Sequence, residues 1–100
     1  MAGAAISEKN FIKFNAADQE QTKITFRITT IAWVNHDESG RDIAAADICR
    51  LEDGAGVEIF AAKCVTAGDP VIITGLDVTV TGLKAEDLTG GVLFVYGERI

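Results

Sequence analysis

The chain has 100 residues, of which 48% are hydrophobic, and 15 acidic against 9 basic side chains give it a formal net charge of −6. This length suits one compact core and is too short for two of ordinary size, so the sequence predicts a single domain over residues 1–100. No apolar run approaches the roughly 20 residues of a membrane-spanning helix, and the first ten residues lack the basic leader and apolar stretch of a secretory signal, so we expect a soluble, cytoplasmic protein without membrane association.

The N-terminal segment, residues 1–21, is predicted to be an arm or an extra strand. Its NFIKF stretch has the length of a short strand, and NAADQEQ follows it as a connecting loop. We expect Phe11 and Phe14 to act as a hydrophobic tether to the rest of the domain, or to take part in strand exchange within a dimer.

The most regular pattern, KITFRITTIAWVN, covers residues 23–35. Its apolar side chains stand at even positions up to Ile28 and at odd positions from Ile31. A β-bulge at Thr29 and Thr30 explains the change, because a bulge adds one residue and reverses the facing of all that follow. The sequence therefore predicts a long strand that bends and serves two sides of a strongly curved sheet.

A β-hairpin is predicted after the polar loop at residues 36–42. Its strands lie in IAAADICRLE and VEIFAAKCV, and they flank the glycine-rich turn Asp53-Gly54-Ala55-Gly56. We place Val57 and Ile59 on the inner face of this hairpin, which puts Phe60 on the outer face.

The two cysteines are expected to be reduced and packed as small hydrophobic side chains. The hairpin register places Cys49 and Cys64 on opposite faces, whereas a disulfide needs Cα atoms within about 7 Å. The single histidine, His36, lies among Asp37, Glu38 and Asp42 in the polar loop. This loop lacks the spacing of a zinc or calcium site, so we interpret it as a solvated turn with no metal.

The last 35 residues predict two further strands. TAGDP at residues 66–70 is a turn, and a fourth strand follows over residues 71–81 with a kink at Gly75, where the apolar positions change parity. GLKAEDLTGG is predicted as a loop with one helical turn at residues 84–88. VLFVYGERI at residues 92–100 is the final strand.

These elements predict an all-β fold. Five strands, the first of them bent and the fourth kinked, give the outline of a five-stranded Greek-key OB-like barrel with an extra N-terminal strand as an option. A β-sandwich is the alternative architecture. The two changes of phase within strands favour the coiled barrel.

The segment DICRLEDGAGVEIFAAKCVTAGDPVIITGLDVTV resembles the middle of oligonucleotide-binding OB folds. The shared features are the Asp53-Gly54 turn, the apolar strand at Val57–Phe60 and the Gly68-Asp69 pair before the next strand. ITTIAWVN together with RDIAAADI resembles small single-stranded DNA-binding proteins of phages and integrative elements. The resemblance covers residues 22–100. It implies non-enzymatic binding of single-stranded DNA, or RNA, by a homodimer that serves DNA replication in a bacterial cell or a phage-infected host.

Aromatic stacking and basic residues on the barrel face are the expected means of binding. The candidate residues are Lys23, Arg27, Trp33, Arg50, Phe60, Lys63 and Tyr96. Each has a structural alternative. Trp33 and Phe60 suit core packing, the two arginines suit surface salt bridges, and Tyr96 with Phe94 is exposed only if the intervening residues of the last strand are core.

An acidic protein-interaction module is the alternative function. A groove that follows a nucleic-acid backbone should be basic, whereas this chain is acidic. The chain is then expected to bind a basic partner, or to imitate DNA and inhibit a DNA-binding protein. No nucleophile stands at a useful spacing from a base, and no phosphate-binding loop motif occurs, so we expect neither catalysis nor a cofactor.

Overall fold

The computed structural model describes residues 6–7, 10–35 and 43–100, and all its regular structure within these ranges is β-strand. The all-β prediction is therefore confirmed. The polar loop that contains His36 lies outside the described residues. The strands are β1 (Ile6–Ser7), β2 (Phe11–Phe14), β3 (Glu20–Val34), β4 (Ile48–Asp53), β5 (Glu58–Lys63), β6 (Val71–Ile73), β7 (Val78–Leu88) and β8 (Val92–Arg99).

The strands form one antiparallel sheet in the order β1-β2-β8-β3-β7-β4-β5. Strand β6 pairs with the C-terminal part of β3, on the edge of β3 that β7 also occupies. Among the described strands, the β4–β5 hairpin joins the sheet by pairing with β7, which lies between β3 and β4. Within the described residues the sheet is open, with β1 at one edge and β5 at the other.

Strand β3 is bent. It contains 15 residues, and a straight strand of that length would measure about 50 Å at 3.3 Å per residue, whereas the longest dimension of the molecule is 35 Å. The pairing of β3 with β8 shifts register between Ile28 and Thr30, which confirms the bulge predicted there. The bend lets one strand contribute to both ends of the core.

Strands β6 and β7 follow one edge of β3 as two parts of a kinked strand. They are separated by residues 74–77, where Gly75 has a φ of +74°. The irregularity predicted at Gly75 is confirmed, but it divides two strands where one kinked strand over residues 71–81 was expected. The predicted helical turn at residues 84–88 is wrong. Those residues continue β7, because the Leu83, Ala85 and Leu88 side chains are buried in the sheet and β4 pairs with this part of the strand.

The hairpin turn that joins β4 to β5 is held by its own side chain and by β7. Asp53 Oδ1 accepts hydrogen bonds from the backbone N–H groups of Ala55 (2.9 Å) and Val57 (3.0 Å), as an Asx turn does. The N–H of Gly54 donates to the carbonyl of Thr81 at 3.0 Å. The turn therefore packs directly against β7 and is fixed relative to the sheet.

The facing predicted for β5 is wrong. The pairing of β4 with β5 shifts register between Leu51 and Glu52, so the parity of β5 is reversed relative to a regular hairpin. Phe60 points inward and is 6% exposed, whereas Val57 is 60% exposed. This reversal also brings Cys64 into the same core cluster as Cys49, against the expectation of opposite faces.

Both cysteines are free and buried, as expected for small hydrophobic side chains. Burial, with a smaller contribution from the charge of Asp87, raises the pKa of the Cys49 thiol to about 12. The thiol of Cys64 donates to the carbonyl of Thr66 at 3.0 Å. The remainder of the core is aliphatic and aromatic, and its largest members are Trp33, Phe14 and Phe26.

Candidate nucleic-acid interface

Two of the predicted aromatic contact residues lie in the core. The Trp33 side chain is fully buried, and its Nε1–H donates to the carbonyl of Gly90 at 2.9 Å. Phe60 packs in the same hydrophobic cluster. Neither ring presents a face to solvent, so the structure does not support the assignment of Trp33 and Phe60 as stacking platforms.

The two predicted arginines are held by carboxylates. Arg27 Nε lies 2.9 Å from Asp77 Oδ1, and its Nη1 lies 2.7 Å from Glu98 Oε1. Hydrogen bonds and charge from both carboxylates raise the pKa of Arg27. Ion pairing thus satisfies Arg27 in the free protein, and a phosphate has to compete for it.

Arg50 is likewise paired, on the outer face of β4. Its Nε is 2.9 Å from Asp87 Oδ2 and 3.9 Å from Glu58 Oε1. The closer contact is an ion pair without hydrogen-bond geometry, since the buried Nε has no acceptor in line with its N–H. Arg50 and Lys63 line a shallow depression of about 340 Å³ on this face.

The two predicted lysines, Lys23 and Lys63, are exposed and have no carboxylate within ion-pair distance among the described residues. They belong to β3 and β5, which β7 and β4 separate in the sheet. They therefore do not form one basic groove with each other.

Tyr96 is the predicted contact residue that lies in a partly exposed aromatic cluster. It is 40% exposed on β8, and its ring is stacked with that of Phe94 at a centroid distance of 5.7 Å and an interplanar angle of 16°. Phe11 of β2 packs against both rings, at 6.0 Å from Phe94 and 6.1 Å from Tyr96. We call Phe11, Phe94 and Tyr96 the aromatic platform.

The strand register explains why these rings meet on the outer face. Phe11 is directly opposite Tyr96 in the pairing of β2 with β8, and directly opposite residues share a face of the sheet. Leu93 and Val95 point the other way and are fully buried. The choice between the two pairs on the last strand is thereby settled in favour of Leu93 and Val95 as core.

One cation lies on the platform itself. Lys13 is opposite Phe94 in the register, and its Nζ lies 5.8 Å from the centroid of the Phe94 ring. This is a cation–π contact at a partly exposed position. Three rings and one cation thus share the outer face of β2 and β8.

Sequence reasoning missed Phe11, Lys13 and Phe94 as members of one site. The alternation in VLFVYGERI did indicate that Phe94 and Tyr96 share a face. What it did not contain is the pairing of β2 with β8, because those strands are about 80 residues apart in the chain and the pattern of one strand does not identify its neighbour.

An acidic cleft lies elsewhere, where the β4–β5 turn approaches the start of β3. Glu20, Glu52 and Asp53 line this cavity of about 290 Å³, together with Lys84. Lys84 Nζ is 3.1 Å from Glu86 and 3.8 Å from Asp18, and its pKa is raised, chiefly by Glu86. Among the described residues, no group of histidine, cysteine and acidic side chains has the geometry of a metal site.

The chain matches no protein-family model, no curated protein and no solved structure. No helix in the described part of the chain is long and apolar enough to cross a membrane. The geometry of the aromatic platform is therefore the main guide to function.

Proposed function

We propose that the protein binds single-stranded nucleic acid, DNA in the first place, without catalysis, and that the bases stack on the aromatic platform. One observation carries this proposal: Phe11, Phe94 and Tyr96 lie side by side on one face of the sheet, with Lys13 in contact with them. Tyr96 is exposed, and Phe11 and Phe94 are partly exposed. Accessible aromatic side chains are what proteins without sequence preference use to stack bases.

The three rings lie at two inclinations. Phe94 and Tyr96 are nearly parallel and stacked on each other, at an interplanar angle of 16°, while the Phe11 ring is tilted by 58° to Phe94 and by 48° to Tyr96. A base stacks on a ring face that the other rings leave free. Each base stacked on an aromatic side chain contributes about 1–3 kcal/mol and every base has a face to offer. Binding is therefore expected to tolerate any sequence.

The acidic surface limits the electrostatic part of the binding energy. Lys13 is the cation in contact with the platform, and Arg27 is occupied by two carboxylates. Each phosphate contact on a single strand adds about 0.7 to the slope of log K against log salt. With one or two contacts, we expect the affinity to fall only mildly with salt, unlike that of a protein with a basic groove.

The proposal extends to the fold. We interpret the bent sheet as a partly open OB-like barrel, because β3 is long and bulged, a hairpin follows it, and the platform lies on a strand face as in OB-type binding. In this sheet, β7 lies between β3 and β4. The resemblance to phage-type single-stranded DNA-binding proteins favours the same function, and a homodimer remains a prediction.

Fluorescence anisotropy with labelled oligo-dT, oligo-rU and duplex DNA tests this function. We expect single strands to bind and duplex to bind poorly, because paired bases cannot leave their stack to meet the platform. Tyr96→Leu and Phe94→Leu keep an apolar side chain but remove the aromatic face, and each should weaken binding by about 5- to 150-fold, which corresponds to 1–3 kcal/mol per stacked base.

Val65→Ala is the matched control, since Val65 is an 86% exposed apolar residue that belongs to no strand. Its affinity should equal that of the wild type. If all three variants bind as the wild type does, bases do not stack on the platform and the proposal fails.

A basic protein partner is the second candidate function, and the acidic cleft is the observation that favours it. Glu20, Glu52 and Asp53 converge on a cavity large enough for a lysine or arginine side chain. A labelled oligo-lysine peptide tests this function. If the wild type binds the peptide, Glu52→Gln weakens that binding, and no single strand binds, this function is favoured over the first.

A further inference from the structure

The outer face of β8 continues from the aromatic platform into a charged group. Phe94, Tyr96 and Glu98 occupy alternate positions and so share this face. Glu98 follows Tyr96 by about 7 Å along the strand. Arg27 of β3 is directly opposite Glu98 in the register, and its guanidinium contacts Glu98, two residues beyond Tyr96 on β8.

Arg27, Asp77 and Glu98 form a group that we call the Arg27 triad. The guanidinium sits between the two carboxylates, at 2.9 Å from Asp77 and 2.7 Å from Glu98. One positive and two negative charges leave the triad with a net charge of −1. All three side chains are accessible, with exposures of 42%, 76% and 61%, so a dissolved or bound anion can reach them.

Two cations thus lie at opposite ends of the platform. Lys13 contacts Phe94 at one end, and Arg27 pairs with Glu98 beyond Tyr96 at the other. Residues 94 and 98 are four positions apart, which is about 13 Å along an extended strand. A nucleic-acid chain whose bases lie on Phe94 and Tyr96 therefore passes both cations. Of these two, Arg27 is paired with carboxylates, whereas Lys13 has no ion pair within the described residues.

We propose that Arg27 is a second phosphate-binding residue of this interface and that Glu98 and Asp77 compete with the phosphate for it. This inference rests on the proposed function and names a specific determinant of its affinity. Exposed ion pairs have small net stabilities, so a phosphate can displace the carboxylates. The displaced negative charges stay nearby, and they lower the affinity for the polyanion.

The direct test is Glu98→Gln, measured with the labelled oligo-dT at 50 and 200 mM salt. Removing one charge about 6 Å from a phosphate in a solvent-like medium should tighten binding by about three-fold at low salt, as Coulomb's law gives for a dielectric constant near 80. Because Arg27 is then freer to contact a phosphate, the slope of log K against log salt should increase by up to about 0.7.

Glu58→Gln is the matched control. It removes the same charge from an exposed glutamate that is also near an arginine, but on β5, which β4, β7 and β3 separate from β8 in the sheet. At this distance salt screens the interaction with the bound strand, since the Debye length is about 10 Å at 0.1 M. The affinity of Glu58→Gln for oligo-dT should therefore differ less from the wild-type affinity than the affinity of Glu98→Gln does.

A double-mutant cycle with Arg27→Gln separates release of Arg27 from a general effect of charge. If Arg27 binds the phosphate, Glu98→Gln should gain little in the Arg27→Gln background. Two results would overturn this inference and leave the proposed function standing, provided that the wild type binds single strands through the platform. One is that Glu98→Gln leaves the affinity unchanged, and the other is that it raises the affinity equally in the wild-type and Arg27→Gln backgrounds. A wild type that binds no single strand overturns both.

Discussion

Trp33 provides the clearest energetic test of the core, because the sequence allowed it two roles. Trp33→Phe keeps an aromatic side chain at the same position but removes the indole N–H that donates to the Gly90 carbonyl at 2.9 Å. It also removes ring volume from a site where the side chain has no exposure. If Trp33 were a surface stacking residue, neither change would affect folding.

Two contributions set the expected loss. The Gly90 carbonyl is buried, and leaving a buried acceptor without a partner costs about 1–3 kcal/mol. The smaller ring leaves a cavity of about 40 Å³, which at about 24 cal/mol per Å³ adds roughly 1 kcal/mol. The free energy of unfolding should therefore fall by about 2–4 kcal/mol, a large share of the 5–15 kcal/mol typical of a domain.

Urea unfolding followed by far-UV circular dichroism measures this loss, since the variant has no tryptophan to follow. Tyr96→Phe is the control, because it removes one polar group from an exposed aromatic ring and should change stability by less than about 0.5 kcal/mol. A loss of less than about 0.5 kcal/mol for Trp33→Phe would refute the buried hydrogen bond to Gly90.

Three further predictions follow from the same packing. Gly54→Ala should lower the free energy of unfolding more than Gly56→Ala does. The Cβ of an alanine at position 54 would lie 2.5 Å from the Thr81 carbonyl oxygen, whereas position 56 has open space and only a positive φ of +84° to strain an alanine. Urea unfolding of the two variants tests this, and equal losses would contradict it. Burial raises the pKa of Cys49 from 9.0 to about 12, so between these pH values the folded thiol keeps its proton while the unfolded thiol loses it. The free energy of unfolding should therefore fall as the pH rises from about 9 to about 12. Cys49→Ala should lack this part of the decline, and an identical pH profile would show that Cys49 is not responsible. Since Trp33 is buried, the binding of single-stranded DNA should not quench the Trp33 fluorescence by stacking. Strong quenching on titration would instead show that a base lies against the indole.

The sequence predicted the parts of the fold that depend on periodicity within one strand. The change of parity between Ile28 and Ile31 located the bulge in β3, because an inner face must stay apolar on both sides of a bend. Gly75 likewise marked the interruption between β6 and β7. Both features can be read from the residues of one strand, without knowing which strands pair with it.

Features that depend on pairing between distant segments were not predictable in this way. The register shift between Leu51 and Glu52 passes over Ile59, where the apolar positions change parity from Val57 and Ile59 to Phe60. The pairing with β4 decides which parity faces the core, so Phe60 was assigned to the wrong face. Residues 84–88 have local helical character, but pairing with β4 keeps them extended. The competition between helix and strand there is decided by tertiary contacts rather than by propensity.

The candidate site was predicted in part. Tyr96 was identified because the final strand alternates, and the arginines were correctly given salt bridges as their alternative. Phe11 and Lys13 join the site only through the register of β2 with β8. A single sequence does not specify which strand an N-terminal segment will pair with.

The affinity of wild-type protein and of the double variant Phe94→Leu/Tyr96→Leu for labelled oligo-dT at 50 mM salt tests the central claim most directly. Trp33 fluorescence serves as the check that both proteins are folded, since the indole is buried beneath the sheet. We predict that the wild type binds and that the folded double variant binds at least about 30-fold more weakly, as the loss of two stacked bases at about 1–3 kcal/mol each requires. A wild type that binds no single strand, or a folded double variant with undiminished affinity, would contradict the proposal that the aromatic platform of β2 and β8 binds nucleic acid.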